Sequence, residues 1–334
     1  MTDIKIGDCF ELIKELPDNS IDLIITSPPY ADIVNYGKNI SIQKPQDYCD
    51  WLLPIFSQIQ RVLKPSGSFI LNINDTCKNG LRNPFIYELI YRSQKETKLK
   101  FYDTYIWHKM NGIPNGGAKR FRNTTEFIFH FVKDQKNLKF YMDRVLQEPA
   151  EASKKRANYP WHIKNHGIIE DGARHKDPEN LIDYQPSLVR PDNVVRFHTA
   201  GHARDNTIKH PAPFYKDLPK YYINLLTDDG DTILDIFGGI MTTGLACKEI
   251  GDRNFIGMEL NEKYAEFGKK RIDGEELDQY RVVQYDLDGN YIADYKNRME
   301  ASKATGVQDG DIMRTYNRTK FDSRGGFIWK LEKR

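Results

Sequence analysis

The apolar positions of this chain form two well-patterned regions separated by a poorly patterned one. "KIGDCFELIKELPDNSIDLIITSPPY" predicts a loop, a helix over Cys9–Leu16, a turn at Pro17–Ser20 and a short buried strand running into Ser27. "DYCDWLLPIFSQIQRVLKPSGSFILNIN" predicts a helix ending near Leu63, a Pro-Ser-Gly turn and a strand over Ser68–Ile73. "FYDTYIWHK" and "TTEFIFHFVK" are rich in aromatic and β-branched residues and predict two further strands. From about Asp134 to Thr207 the periodicity fades into a polar stretch that carries most of the histidines. Tyr159, Trp161 and Phe197 within it argue for an irregular inserted module rather than a disordered linker. Regular patterning returns at "LPKYYINLLTDDGDTILDIFGGIMTTGLACKEIGDRNFIGMELNEKYAEFGKKRI": helix, strand, glycine-rich loop, helix, strand, helix. Beyond about Gly274 the residues are charged and weakly periodic, and no element is predicted. The alternation of helices and strands predicts an α/β fold with a mostly parallel sheet. The expected division is 1–133, an insertion over 134–207, a second half over 208–274 and an extension over 275–334.

Composition narrows the classes. With 334 residues, 39% of them hydrophobic, the chain can bury a sizeable core. A net charge of +2 is no global polyanion-binding signature, so any nucleic-acid contact has to come from a local basic patch. Cys9, Cys49, Cys77 and Cys247 form no CxxC pair, which predicts free thiols and no zinc site. The start lacks a signal-peptide pattern and no run of about 18 apolar residues occurs, so a cytoplasmic protein without membrane spans is expected.

Chemistry concentrates at two strand ends. Pro28 and Pro29 cannot donate to a sheet ladder, so the strand ending "LIITSPPY" must stop in a stiff corner that leaves carbonyls unpaired beside Ser27 and Tyr30. "TILDIFGG" runs a second strand into Gly238 and Gly239, whose missing Cβ atoms let a ligand approach the backbone. The next strand, "FIGMEL", ends in Glu259, where α/β nucleotide sites hold ribose hydroxyls. A tight βα turn followed by a surface Glu accounts for the same letters. The loop is not GxGxxG, which disfavours NAD.

Taken together, "GDCFELIKELPDNSIDLIITSPPY", "LKPSGSFILNI", "IWHKMNGIPNGGAKRFRNTTEFIFHFVK", "KHPAPFYKDLP", "DIFGGIMTTG" and "GMELNEKYAEFGKKRI" resemble, in order and spacing, the β-group of amino-methylating DNA methyltransferases over roughly residues 3 to 272. The resemblance implies a Rossmann-like methyltransferase fold with circularly permuted motif order, S-adenosylmethionine (SAM) as methyl donor, and double-stranded DNA as substrate. It also implies an inserted target-recognition region, a possible companion restriction endonuclease, and a monomer or homodimer. It makes Ser27, Pro28, Pro29 and Tyr30 the catalytic corner, with Tyr30 stacking on an extruded base. It makes Asp8, Phe214, Asp235, Phe237, Gly238, Gly239, Thr242 and Glu259 the cofactor contacts, although Asp8 is equally suited to cap the helix that follows it. Ser at the head of the corner favours cytosine N4 as the methylated amine. Adenine N6 is the alternative, and a non-catalytic DNA-binding module of the same fold a further one. The chain departs from the common pattern at Ile240 and Met241. Met241 stands where a third glycine is usual, so its side chain is expected to narrow the approach to the methionine part of SAM.

Between Arg92 and Lys133 there are nine Lys or Arg against three Asp or Glu. Lys109, Lys119, Arg120 and Arg122 flank "NGIPNGG" and suit contacts to a phosphate backbone; Asn111, the first residue of that loop, matches the block that the resemblance places near the flipped base, and Lys155 and Arg156 in the insertion are further candidates for DNA contact. "HIKNH" reads as surface histidines rather than metal ligands, and no metal is expected.

Overall fold

A computed structural model describes residues 1–31, 44–45, 47–110, 119–149, 188–198, 215–274, 280–296, 298–308, 310–312 and 326–333. Strands β1 (Thr2–Ile6), β2 (Ile21–Thr26) and β3 (Leu63–Ile73) are followed by a hairpin of β4 (Thr76–Lys78) and β5 (Leu81–Asn83). β6 (Lys100–Lys109), β7 (Thr125–Val132), β8 (Val194–Phe197), β9 (Thr232–Asp235) and β10 (Asn254–Glu259) complete the main sheet. Its eight strands lie in the order β1-β10-β9-β2-β3-β7-β6-β8, all parallel except β7.

Helices cover both faces. Strand β2 is buried throughout, and its side chains alternate. Ile24 packs with α1 (Cys9–Leu12), α2 (Tyr48–Val62) and α3 (Phe85–Glu96). Leu23 and Ile25 pack with α4 (Asp217–Leu226), α5 (Thr242–Ile250) and α6 (Glu262–Asp273). That period-2 alternation between two apolar layers is why Leu23, Ile24 and Ile25 are apolar at consecutive positions.

Several expectations shift. The first helix ends at Leu12 and tightens into a 3₁₀ turn over Ile13–Glu15, because the Arg61 guanidinium takes the carbonyls of Ile13 (2.9 Å) and Leu16 (2.7 Å). Pro65-Ser66-Gly67 does not interrupt the third strand. It bulges out between the pairs Ile21–Leu63 and Leu23–Ser68. Residues 194–197, within the stretch read as an insertion, form edge strand β8 against β6. The C-terminal stretch folds as a three-stranded antiparallel sheet of β11 (Tyr280–Tyr285), β12 (Tyr291–Tyr295) and β13 (Ile328–Lys333), in the order β12-β11-β13. With α7 (Arg298–Thr305) it has a small core around Val282, Ala301, Ile312 and Trp329. Its strands are short, and Trp329 comes from a distant segment, so no local periodicity announces it. No helix among the described residues is long and apolar enough to cross a membrane.

Candidate active site

The two corners meet. β2 and β9 are adjacent parallel strands, with Leu23 opposite Ile233 and Ile24 opposite Leu234, so both chains leave the sheet at the same edge. After β2 the chain continues to α2 on one face; after β9 it continues to α5 on the other. Connections that diverge from neighbouring strands open a crevice at their carboxyl ends, the place where open α/β sheets bind ligands. β10 and β1 extend this edge, with Ile6 opposite Glu259 and the Gly7 amide donating to the Glu259 carbonyl at 2.9 Å. Ser27, Gly238, Gly239, Glu259 and Asp8 therefore border one crevice.

Asp235 ties the corners together. It is fully buried, and its carboxylate accepts from the Thr26 hydroxyl at 2.7 Å and the Thr243 hydroxyl at 2.6 Å. The Phe237 amide also donates to it at 3.2 Å. Burial raises its pKa above the ordinary carboxylate value, and the three donors oppose that shift. Thr26 and Thr243, which sequence reasoning passed over, thus clamp the last residue before Ser27 to the start of the glycine loop.

Glu259 is also buried. Its two oxygens accept the amides of Gly239 and Asn261, each at 2.8 Å, so it pins the glycine loop as well as lining the crevice. Desolvation raises its pKa, opposed by these amides. Each carboxylate oxygen retains a lone pair, so a diol can still be bound. Asp8 is exposed and caps α1, accepting from the Phe10 amide at 2.9 Å. The rings of Phe10, Trp51 and Phe237 form a chain at the mouth, with centroids 5.8 and 5.9 Å apart. Thr242 is buried at the start of α5. A carboxylate for a ribose, a backbone without Cβ atoms and flanking aromatic rings fit a charged adenosyl cofactor.

The expectation for Met241 is overturned. This residue adopts the left-handed conformation (φ 56°, ψ 42°) that favours glycine, yet its side chain is fully buried and turned into the core. It fills a hollow left by three glycines. A Cβ at Gly238 would lie 2.7 Å from its sulfur, one at Gly257 2.5 Å from it, and one at Gly268 would collide with Cγ. The crevice is not narrowed, because the thioether goes beneath the loop. Gly257→Ala is therefore expected to destabilise by about 1–3 kcal/mol through overpacking. Urea unfolding should show a smaller loss in a Met241→Ala background; equal losses in both backgrounds would contradict this packing. Arg271, also missed in the sequence, steadies the same loop by donating to the Ile240 carbonyl at 2.6 Å.

The proline corner is braced from below. Pro28 is buried, Ser27 is half-buried, and the buried Tyr48 hydroxyl donates to the Pro29 carbonyl at 2.9 Å. The Tyr30 hydroxyl donates to Glu126 at 2.6 Å, and Glu126 also pairs with the Lys109 ammonium. Lys109, expected on DNA, is thus held inward by an internal ion pair. Lys119, Arg120 and Arg122 are exposed. Asn111, Phe214, Lys155, Arg156 and the "HIKNH" histidines lie outside the described residues.

Comparison with known proteins gives the same picture. The profile of the DNA methylase family of N6- and N4-methyltransferases matches residues 21–270. Type II methyltransferase M.PvuII of Proteus hauseri is 27% identical over 278 residues, covering 78% of this chain and 80% of that protein. The DNA adenine methyltransferase YhdJ of Escherichia coli is 31% identical over 269 residues, covering 80% and 81%. Among solved structures, the cytosine-N4-specific PvuII DNA methyltransferase superposes with a TM-score of 0.60 at 24% identity, covering 81% of this chain and 86% of that one. M1.HpyAVI in complex with SAM superposes with a TM-score of 0.50 at 24% identity, covering 82% and all of that chain.

Proposed function

The chain belongs to the DNA methylase family of N6- and N4-methyltransferases, and from that premise we propose that it methylates the exocyclic N4 amine of cytosine in duplex DNA. Its cofactor is SAM, which supplies an electrophilic methyl group on sulfur. The observation that carries the reading is the Ser27-Pro28-Pro29-Tyr30 corner and the Gly238-Gly239 loop on adjacent strands, joined through Thr26 and Asp235.

An exocyclic amine is a poor nucleophile, since its lone pair is delocalised into the ring. The Ser27 hydroxyl and the Pro28 carbonyl are acceptors for its hydrogens. They favour a pyramidal nitrogen whose lone pair is aimed at the methyl donor, and they hold the developing positive charge. Tyr48 and the two prolines keep those acceptors rigid. Glu259 binds the cofactor ribose, and Asp8, Phe237 and Thr242 contact the rest of it. Tyr30, its ring oriented through Glu126, stacks on a base swung out of the duplex. Lys119, Arg120 and Arg122 engage the phosphate backbone. The insertion over 134–207 supplies sequence recognition, as in a type II modification enzyme acting beside a companion endonuclease.

Ser27 at the head of the corner favours cytosine because that residue choice resembles the cytosine-N4 branch of the family; its hydroxyl can accept from the amine and donate to the adjacent ring nitrogen of either base. Similarity to YhdJ, an adenine methyltransferase, favours adenine N6 as the second reading. Nucleoside mass spectrometry of DNA treated with the purified enzyme decides between them. N4-methylcytosine is expected; N6-methyladenine would overturn the base assignment and leave the acceptor mechanism intact.

A further inference from the structure

We propose that Phe121 is an apolar wedge that inserts into the DNA base stack beside the nucleotide drawn toward Ser27, a role that rests on the DNA-methylating reading above. The Phe121 ring is 97% exposed, more than any other large hydrophobic side chain among the described residues. A lone exposed apolar residue needs no explanation by itself. Its setting is what points to a partner.

The segment carrying Phe121 borders the crevice. Five residues on, Glu126 bonds the Tyr30 hydroxyl. The Thr124 carbonyl accepts from the Lys109 amide at 2.7 Å, and the Thr125 carbonyl accepts from the Asn74 side chain, at the carboxyl end of β3, at 2.8 Å. On its other side, the Arg120 guanidinium donates to the Gly80 carbonyl at the tip of the β4–β5 hairpin. Leu81, the next residue of that tip, is 76% exposed. Phe121 thus lies between the start of β7, whose Glu126 bonds Tyr30 of the catalytic corner, and Arg120, whose side chain bonds the hairpin tip.

Charge identifies the occupant. Lys119, Arg120 and Arg122, the sequence neighbours of Phe121, are exposed with it, and such a run of cations suits a phosphate backbone. A phenyl ring has neither donor nor acceptor and cannot read the hydrogen-bonding pattern of a base edge. Set between phosphate contacts beside a site that must extrude a base, it is suited to stack on or part the bases, as apolar wedges do when they unstack a step. Parting the stack is the obligatory cost of extruding a base, so a ring that fills the gap favours the extruded state.

The test measures transfer of tritiated methyl groups from SAM to unmethylated, PCR-amplified bacterial DNA, together with duplex affinity over a range of salt. Wild type, Phe121→Ala, Phe121→Trp and Arg122→Ala are compared. Because the side chain is solvent-exposed, melting temperature and SAM affinity should be unchanged in all four. Phe121→Ala should lower the methylation rate about tenfold to a hundredfold, the worth of one aromatic stack, without altering the salt slope. Phe121→Trp should retain activity. Arg122→Ala should instead reduce the log–log salt slope by about one. Phe121→Ala within twofold of wild type, or with a flattened salt slope, overturns the proposal alone. Absence of incorporation by wild type overturns the DNA-methylating reading and the wedge with it.

Discussion

Ser27→Ala is expected to lower turnover by about 10²–10³-fold, the usual consequence of removing one polar group aimed at charge that develops in a transition state. SAM affinity should stay nearly constant, because the hydroxyl acts on the amine and not on the cofactor. Single-turnover transfer of labelled methyl groups measures the effect, and calorimetry with SAM supplies the control. Ser27→Asn restores an acceptor at the same corner and should recover part of the rate. Thr26 keeps its own bond to Asp235, so the fold of the corner survives the substitution. A turnover within threefold of wild type for Ser27→Ala would mean that the Pro28 carbonyl carries the amine alone.

Glu259→Ala should weaken SAM binding by about 1.5–3 kcal/mol, the value of hydrogen bonds to a charged acceptor. Part of this loss comes from the ribose. Part comes from the loop, since the amides of Gly239 and Asn261 lose the buried oxygens that now accept from them. Duplex affinity should change little, which separates the cofactor role from a general loss of structure. The raised pKa of Glu259 sets the direction of a pH effect. A carboxyl displaced upward takes its proton at a higher pH than an ordinary Glu. SAM affinity should therefore begin to fall, as pH is lowered, before the normal carboxylate range is reached. Unchanged calorimetric affinity in Glu259→Ala would leave Glu259 as a brace for the loop only.

Much of the site was legible along the chain. Two prolines that must end a ladder marked the first corner, and two glycines after a buried strand marked the second. Glu259 stood at the following strand end, and the order of the blocks pointed to the family. What escaped were residues whose partners are remote. Thr26 and Asp235 are 209 positions apart, and Glu126 is 96 from Tyr30. Threonine and glutamate at such places look like ordinary strand residues. Met241 was legible as a departure, but its consequence was misjudged. Only packing shows that Gly238, Gly257 and Gly268 leave room for its side chain below the loop.

The sequence by itself determined the local elements of the methyltransferase core, its mostly parallel class and its family, because hydrophobic period, proline and glycine act within a few residues. Tertiary structure decided the rest. It set β2 beside β9, sent their connections to opposite faces, turned Lys109 inward and Phe121 outward, and assembled a C-terminal sheet from three short strands. These are outcomes of burial and pairing between distant segments. Every such contact depends on which other surfaces compete for the same partner, and no local pattern encodes that competition.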